Sequence, residues 1–219
     1  MTLWLTRIVP DTRSPEARRD LKDPIGTHRR IMSLFPSDAG PDPRARFGVL
    51  FRTEDTPAGP HLLVQSTHEP NTSSLPEGYG TALARHLDAL IDAISPGLTI
   101  RYRCAASPVR KPGATTRALY DLPPVVALTG AAADEWWLRQ ADYSGIKPLT
   151  HRSHPLDAIR GQRRPTGAPP QRIHHTRTQF DGTAAIIDAG LLRKAVLNGI
   201  GRGKAYGCGL LSIAPARQS

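Results

Sequence analysis

Two stretches of this 219-residue sequence carry side chains whose types and spacing could do chemistry. In the first, Asp23-Pro24-Ile25-Gly26-Thr27-His28-Arg29-Arg30 sets one imidazole beside two guanidinium groups, with Lys22 just before them. An unperturbed histidine titrates near pH ~6.5, so one ringed by cations is suited to proton transfer at a phosphodiester. His28 also shares helical spacing with the apolar Ile25, Met32 and Phe35, so a buried core histidine is the competing reading. The second stretch runs from Gly199 to Gly209 through Gly201, Gly203 and Gly207, and interleaves Arg202, Lys204 and Tyr206. Glycine at that density means positive φ or close backbone approach. The cations suit phosphate and the tyrosine ring suits stacking. Neither familiar nucleotide loop fits, because G-x-x-x-x-G-K-[ST] is absent and Tyr206 stands where G-x-G-x-x-G needs its last glycine. The loop also runs from helix to strand, whereas those loops run from strand to helix. A nucleotide-dependent transferase is therefore the weakest reading, and a tight crossover needing glycine on steric grounds alone stays open.

The charge points the same way. Lys and Arg number 29 against 19 Asp and Glu, for a formal charge of +10 and a pI of about 10.3, and 24 of the cations are arginines. A planar guanidinium matches phosphate bidentately, which favours a nucleic-acid partner, although a GC-rich genome would also raise the arginine count. From 160 to 177 the chain carries Arg160, Arg163, Arg164, Arg172, His174, His175 and Arg177 without one acidic residue. A basic loop of this kind, punctuated by Pro and Gly, can reach a phosphate backbone or a groove, and a solvated flexible loop is the bland alternative.

Metal chemistry has little support. His151-x-x-His154 and His174-His175 have no Cys or carboxylate at ligand spacing, and no paired acidic cluster suggests a two-metal nuclease. Chemistry at phosphorus is expected to need no metal and no other cofactor. Cys104 and Cys208 are too few for a disulfide framework. No run of 18 apolar residues suggests a membrane span, and the N-terminus lacks signal-peptide features, so a cytoplasmic protein with no membrane partner is expected.

These groups must be positioned by regular elements. Residues 3–9 read as a strand. Asp23 and Pro24 make an N-cap and first helical residue, and that helix stops before Pro36. Residues 47–52 and 61–67 read as strands. Leu83, Leu87, Leu90 and Ile94 step as one face of a helix that ends at Ser95-Pro96-Gly97. Residues 98–104 alternate as a strand with Arg101 and Arg103 on one face. A helix around Asp134 to Ala141 carries Trp136 and Trp137, either of which could stack on a base, though adjacent helical positions send only one of them to the surface. Residues 176–180 and 183–187 read as strands joined by a turn at Asp181-Gly182. A helix capped by Asp188 and a strand over 209–214 close the chain. The β-α-β-β-α order, given twice, predicts an α+β protein of two tandem ferredoxin-like (RRM-like) domains with antiparallel sheets, over 1–96 and 97–219.

With that order, the histidine on the first helix and G-I-G-R-G-K-A-Y-G-C-G-L-L before the last strand, the sequence resembles the CasE family, the repeat-RNA endoribonucleases of type I-E CRISPR systems. D-P-I-G-T-H-R-R-I-M-S-L-F-P is similar to that family's first-helix motif, H-L-L-V-Q-S to its third strand, S-P-V-R-K to the segment after the first strand of its second domain, and D-G-T-A-A-I-I-D-A-G-L-L to what precedes its glycine loop.

The resemblance implies an enzyme that binds the hairpin of each CRISPR repeat and cuts once at its 3′ base. The upstream 2′-hydroxyl attacks, leaving a 2′,3′-cyclic phosphate and a 5′-hydroxyl. The enzyme then stays on the mature guide within the Cascade complex, beside the other subunits and above all the backbone subunit. It places the catalytic role on His28, as proton donor to the leaving 5′-oxygen, with Arg29 steadying the phosphate and Lys204 a second candidate for that task. RNA contacts are then expected from Lys22, Arg30, Arg101, Arg103, Arg110, Lys111, Arg163, Arg164, Arg172, Arg177, Arg202 and Tyr206. Some members carry Tyr three residues before the histidine, where this chain has Ile25, which cannot move a proton. A non-catalytic subunit that caps the guide RNA is therefore the alternative.

Overall fold

A computed structural model describes residues 2–38, 40–163 and 169–216, without the side chain of Arg163. In chain order its elements are β1 (Trp4–Pro10), α1 (Pro15–Lys22), α2 (Pro24–Met32), α3 (Pro43–Arg46), β2 (Leu50–Thr56), β3 (Gly59–Ser66), β4 (Gly80–His86), α4 (Asp88–Asp92), β5 (Thr99–Ala106), β6 (Val109–Arg110), α5 (Ala114–Tyr120), β7 (Val126–Ala127), α6 (Ala131–Tyr143), β8 (Ile146–Arg163), β9 (Gln171–Ile186), α7 (Ala189–Asn198) and β10 (Leu211–Pro215).

Among the described residues the strands form two antiparallel four-stranded sheets, ordered β2-β3-β1-β4 and β10-β5-β9-β8, with a small β6–β7 pair beside them. Matching β5, β8, β9 and β10 to β1, β2, β3 and β4 makes the two orders identical, which is the expected tandem ferredoxin-like plan. Helices cover one face of each sheet. Ile31, Leu34 and Phe35 pack on Ile8, Phe51, Leu62 and Val64 in the first core. Trp136, Trp137, Leu192 and Val196 pack on Tyr102, Cys104, Phe180 and Ile186 in the second.

Both tryptophans are thereby committed to the core. Trp137 is wholly buried, stacks on Phe180 with 4.9 Å between ring centroids and donates Nε1–H to Tyr102 Oη at 3.3 Å, and Trp136 is buried beside it. Neither is available to a base.

The halves join through buried polar contacts. Gln65 Nε2 on β3 donates to the Val196 carbonyl of α7 at 2.8 Å. Arg52 on β2, 2% exposed, donates Nη1 to the carbonyl of Leu210 at 3.2 Å and Nη2 to Ser212 Oγ at 3.1 Å. Arg52 also donates to the Arg103 carbonyl at 3.4 Å and pairs at 2.7 Å with Glu54, which itself pairs with Arg103 at 3.2 Å. Arg103 in turn holds Asp181, so one ion network spans both sheets. A buried cation persists only when it is paired in this way.

Two expectations about the elements are corrected. Leu83 does not lie on a helix: residues 80–86 form β4, an edge strand on β1, and the helix shrinks to Asp88–Asp92. The i, i+4 spacing of Leu83 and Leu87 was coincidental, because Leu83 stays half-exposed while β1 claims the backbone of its segment. Between β3 and β4 the chain makes a 3-10 turn at Thr72–Ser74, and α1 is a helix before α2 that the sequence reading did not give. Asp181-Gly182 is no turn. It lies within the 16-residue β9, where Gly182 pairs with Tyr102 and His151. A Cβ at Gly182 would collide with the Thr150 carbonyl and the Tyr102 hydroxyl, so glycine is there for close approach, not for reversal.

Candidate active site

Asp23 builds the first wall. Its carboxylate accepts from the backbone N–H of Ile25 and of Gly26, each at 3.0 Å, and Pro24 occupies the first helical position. Such a cap is worth about 1 kcal/mol. Arg30 then ties α2 to α1: its Nε donates to Asp20 Oδ2 at 2.8 Å, Glu16 lies 3.6 Å away, and the guanidinium sits 4.9 Å over the Tyr79 ring. Its side chain is 17% exposed, and these contacts hold the helix that carries His28.

The glycine loop builds the second wall. Gly199, Gly201, Gly203, Gly207 and Gly209 all have positive φ, between 70° and 89°. They fold the segment back on itself, with Ile200 N–H donating to the Gly209 carbonyl and Gly209 N–H to that of Ala105. At its tip, Gly203 and Gly207 bracket a 3-10 turn, Lys204–Tyr206. A Cβ at Gly207 would press on the Phe51 ring at 3.3 Å, and one at Gly203 would meet Cys208 and His175 Nδ1. Sterics and positive φ thus both call for glycine at these two places.

The turn brings Tyr206 against α2. The half-buried His28 ring lies 6.4 Å from that of Tyr206, centroid to centroid, and His175 on β9 lies 5.6 Å from it on another approach. Burial, then Arg202 and then His174, hold the His175 pKa below its usual value. Lys204 donates Nζ–H to the Asn198 carbonyl at 2.7 Å, so it caps the C-terminus of α7. Burial and the nearby Arg44 lower its pKa. Ile25 packs with Tyr206 against Ile159, Ile173 and Cys208, among hydrocarbon and a buried thiol.

The basic segment is a two-stranded arm, because β8 and β9 run past the end of β5. Gln162 pairs with Arg172, Arg160 with His174 and Ile159 with His175. Alternation puts Arg172 and His174 on one face of β9, and Ile173, His175 and Arg177 on the other. That second face rests on α2, where Gly161 leaves room for Pro24 and Ile25. Between the base of the arm, α2 and β2 opens a cleft of about 760 Å³ lined by Lys22, Arg103, Arg160, Arg177 and Tyr206 together with Glu54, Asp55 and Asp157. Arg177 is fixed there by donating to the Asp157 carbonyl at 2.8 Å.

The structure therefore brings Tyr206 of the glycine loop beside His28 and puts Lys22 and Arg177 in the adjoining cleft, while Lys204 on the same turn reaches Asn198 and Arg202 lies near His175. Arg29 is exposed, one helical step from His28, and lines a separate groove between α1 and α2 with Arg19, Gly26 and Ser33. Arg101 is exposed on the open face of the second sheet, where Arg103 is held by Asp181 and Glu54. Arg110 and Lys111 are exposed in the β6–β7 insertion, away from the cleft lining. Arg163 ends β8, paired through its backbone with Gln171, and Arg164 lies outside the described residues.

His175 was not among the site residues expected from sequence. Its signal was the apolar Ile173 two positions earlier, which marks one face of a strand as inward.

Known proteins share the whole of this frame. A family model described as CRISPR associated protein matches residues 3–215. The CRISPR-associated endoribonuclease Cse3 of Thermus thermophilus is 30% identical over 97% of this chain and 100% of its own, and the Cascade subunit CasE of Escherichia coli K12 is 27% identical over 91% and 96%. The structure of Thermus thermophilus Cse3 bound to an RNA representing a pre-cleavage complex superposes with a TM-score of 0.79 at 29% identity, covering 98% of this chain and 100% of that one.

Proposed function

The chain belongs to the CRISPR-associated protein family that includes the Cse3 and CasE endoribonucleases, and from that premise we propose that it binds the repeat hairpin of pre-crRNA and cuts it at the hairpin's 3′ base without a metal. The observation that carries the reading is the seating of the glycine loop on α2, which sets the His28 ring beside Tyr206 at the foot of a basic arm. The 2′-oxygen attacks phosphorus, the P–O5′ bond breaks, and His28 gives its proton to the departing 5′-oxygen. Lys204, braced on Asn198, and Arg29, at the exposed edge of α2, offset charge that grows on the phosphate. Arg172 and Arg202 contact the RNA backbone, and Lys22 and Arg177 hold it at the cleft. The protein then keeps its product as a Cascade subunit in the cytoplasm. Among the described residues no helix is long and apolar enough to cross a membrane.

The reading is tested with an end-labelled repeat hairpin in excess EDTA, intact or carrying a 2′-deoxy sugar at the scissile position. One cut ending in a 2′,3′-cyclic phosphate, abolished by the single deoxy substitution, is expected. Cleavage of the deoxy substrate, or strict dependence on added metal, overturns it. The apolar setting of Ile25 favours one other reading, a guide-capping RNA binder without activity, which predicts tight binding and no cut.

A further inference from the structure

His28 supplies one proton-transfer group, whereas general acid–base catalysis of attack by a 2′-hydroxyl uses two. The attacking oxygen must lose a proton while the leaving oxygen gains one, on opposite sides of phosphorus in an in-line displacement. The residue one helical turn before His28 is Ile25, packed among Ile159, Ile173 and Cys208, and it can play no part in proton transfer. We propose that His175 on the arm strand β9 is the general base of the same cleavage, its ring and that of His28 both neighbours of the Tyr206 ring.

The geometry is specific. The Tyr206 ring is 6.4 Å from the His28 ring and 5.6 Å from the His175 ring, so imidazoles from α2 and from β9 share one aromatic neighbour. Tyr206 is then a floor on which a nucleobase or sugar can rest, as aromatic rings do at unstacked RNA bases. Gly203 keeps open the space beside His175 Nδ1, which any side chain there would fill. Among the described residues, those shown beside His175 are Tyr206 and Arg202 from the glycine loop, Ile159 opposite it on β8 and His174 next to it along β9. Burial, then Arg202 and then His174, lower its pKa and so favour the neutral ring, the form that accepts a proton.

The step balances without a co-reactant. His175 takes the 2′-hydroxyl proton, the 2′-oxygen bonds to phosphorus, the P–O5′ bond breaks, and His28 protonates the 5′-oxygen. Because Tyr206 and His175 come from the second half of the chain and His28 from the first, the pair exists only while the two halves are docked.

This inference rests on the cleavage reading above, and its test separates the two. Single-turnover cleavage at saturating enzyme is measured on an ordinary repeat hairpin and on one with a 5′-phosphorothiolate at the scissile linkage, whose sulfur leaves without protonation. Wild type, His28→Ala, His175→Ala and His175→Gln are compared, with RNA affinity and thermal melting recorded for each. His175→Ala and His175→Gln are expected to cut about 10²-fold or more slowly on both substrates while binding RNA like wild type. His28→Ala should be slow on the ordinary substrate and regain most of its rate on the thiolate. Wild-type rates in either His175 variant, a deficit that vanishes at saturating enzyme, or rescue of His175→Ala by the thiolate overturns the assignment. Should wild type leave the ordinary hairpin uncut, the cleavage reading itself fails.

Discussion

The ring of His28, on the second helix of the first half, lies 6.4 Å from the ring of Tyr206, on the glycine loop of the second half. Residues 178 positions apart in sequence thus make one junction, and the devices that stabilise the fold converge on keeping it. Arg30 holds α2 to α1, Arg52 and Gln65 dock the halves, and Gly203 and Gly207 shape the turn that carries Tyr206.

Gly207 is the most exacting of these positions. Its φ of 80° is disfavoured for any L-residue, by about 1–2 kcal/mol, and an added methyl would press on Phe51. Gly207→Ala should lose at least that stability in urea denaturation. Cleavage should fall further than RNA affinity, because Tyr206 moves while the arm does not. Equal loss of binding and cleavage would place Tyr206 in RNA binding alone.

Arg30 should behave as a structural cation. Arg30→Ala leaves the buried Asp20 carboxylate without its main partner, and breaking such a pair costs about 3–5 kcal/mol. Denaturation should show that loss, while protein still folded at low temperature binds the hairpin within about twofold of wild type, far below the 1–3 kcal/mol expected of a direct RNA contact. A large affinity loss without destabilisation would return Arg30 to the RNA.

The Arg52 network should be visible in acid. Burial raises the Glu54 pKa, but Arg52 and Arg103 beside it outweigh that and hold the carboxyl below its ordinary value. A depressed folded-state pKa gives stability that is present above the unfolded value and lost as pH falls through the folded one. Stability of the wild type should therefore decline below the ordinary carboxylate range. Arg52→Met should be less stable near neutrality, and its deficit should narrow in acid. A deficit independent of pH, read from urea midpoints, would mean that Arg52 matters for its packing and not its charge.

Arg172 faces outward on the arm, whereas Arg177 is tied to Asp157. Arg172→Ala should weaken hairpin binding and reduce by about one the slope of log affinity against log salt, as removal of one phosphate contact does. An unchanged slope would remove that face of the arm from the interface.

Much of this was legible in the sequence, and the failures have physical causes. The α2 cap and the glycine loop were readable because Asp-Pro and clustered glycines are local signals. Leu83 misled because a helical spacing of four also fits a strand whose side chain stays exposed, and only the pairing with β1 decides between them. Asp181-Gly182 misled because a turn signature is equally what a strand needs where Tyr102 crowds its backbone. Arg30 and Arg103 looked like free cations because Asp20 sits on α1, a helix the sequence reading did not give, and Asp181 is 78 positions from Arg103. His175 was hidden among the charges of the arm, since which face of a strand is inward depends on the packing of Gly161 against Ile25.

The central claim is that His28 performs chemistry and does not merely pack. Its most direct test is the cut of an end-labelled repeat hairpin in excess EDTA by wild type and by His28→Ala, with gel-shift affinity measured in parallel. A single cut by wild type, reduced by about 10²-fold or more in the variant while affinity is retained, is the predicted result. Equal cutting by both proteins, or tight binding with no cut by either, would contradict it.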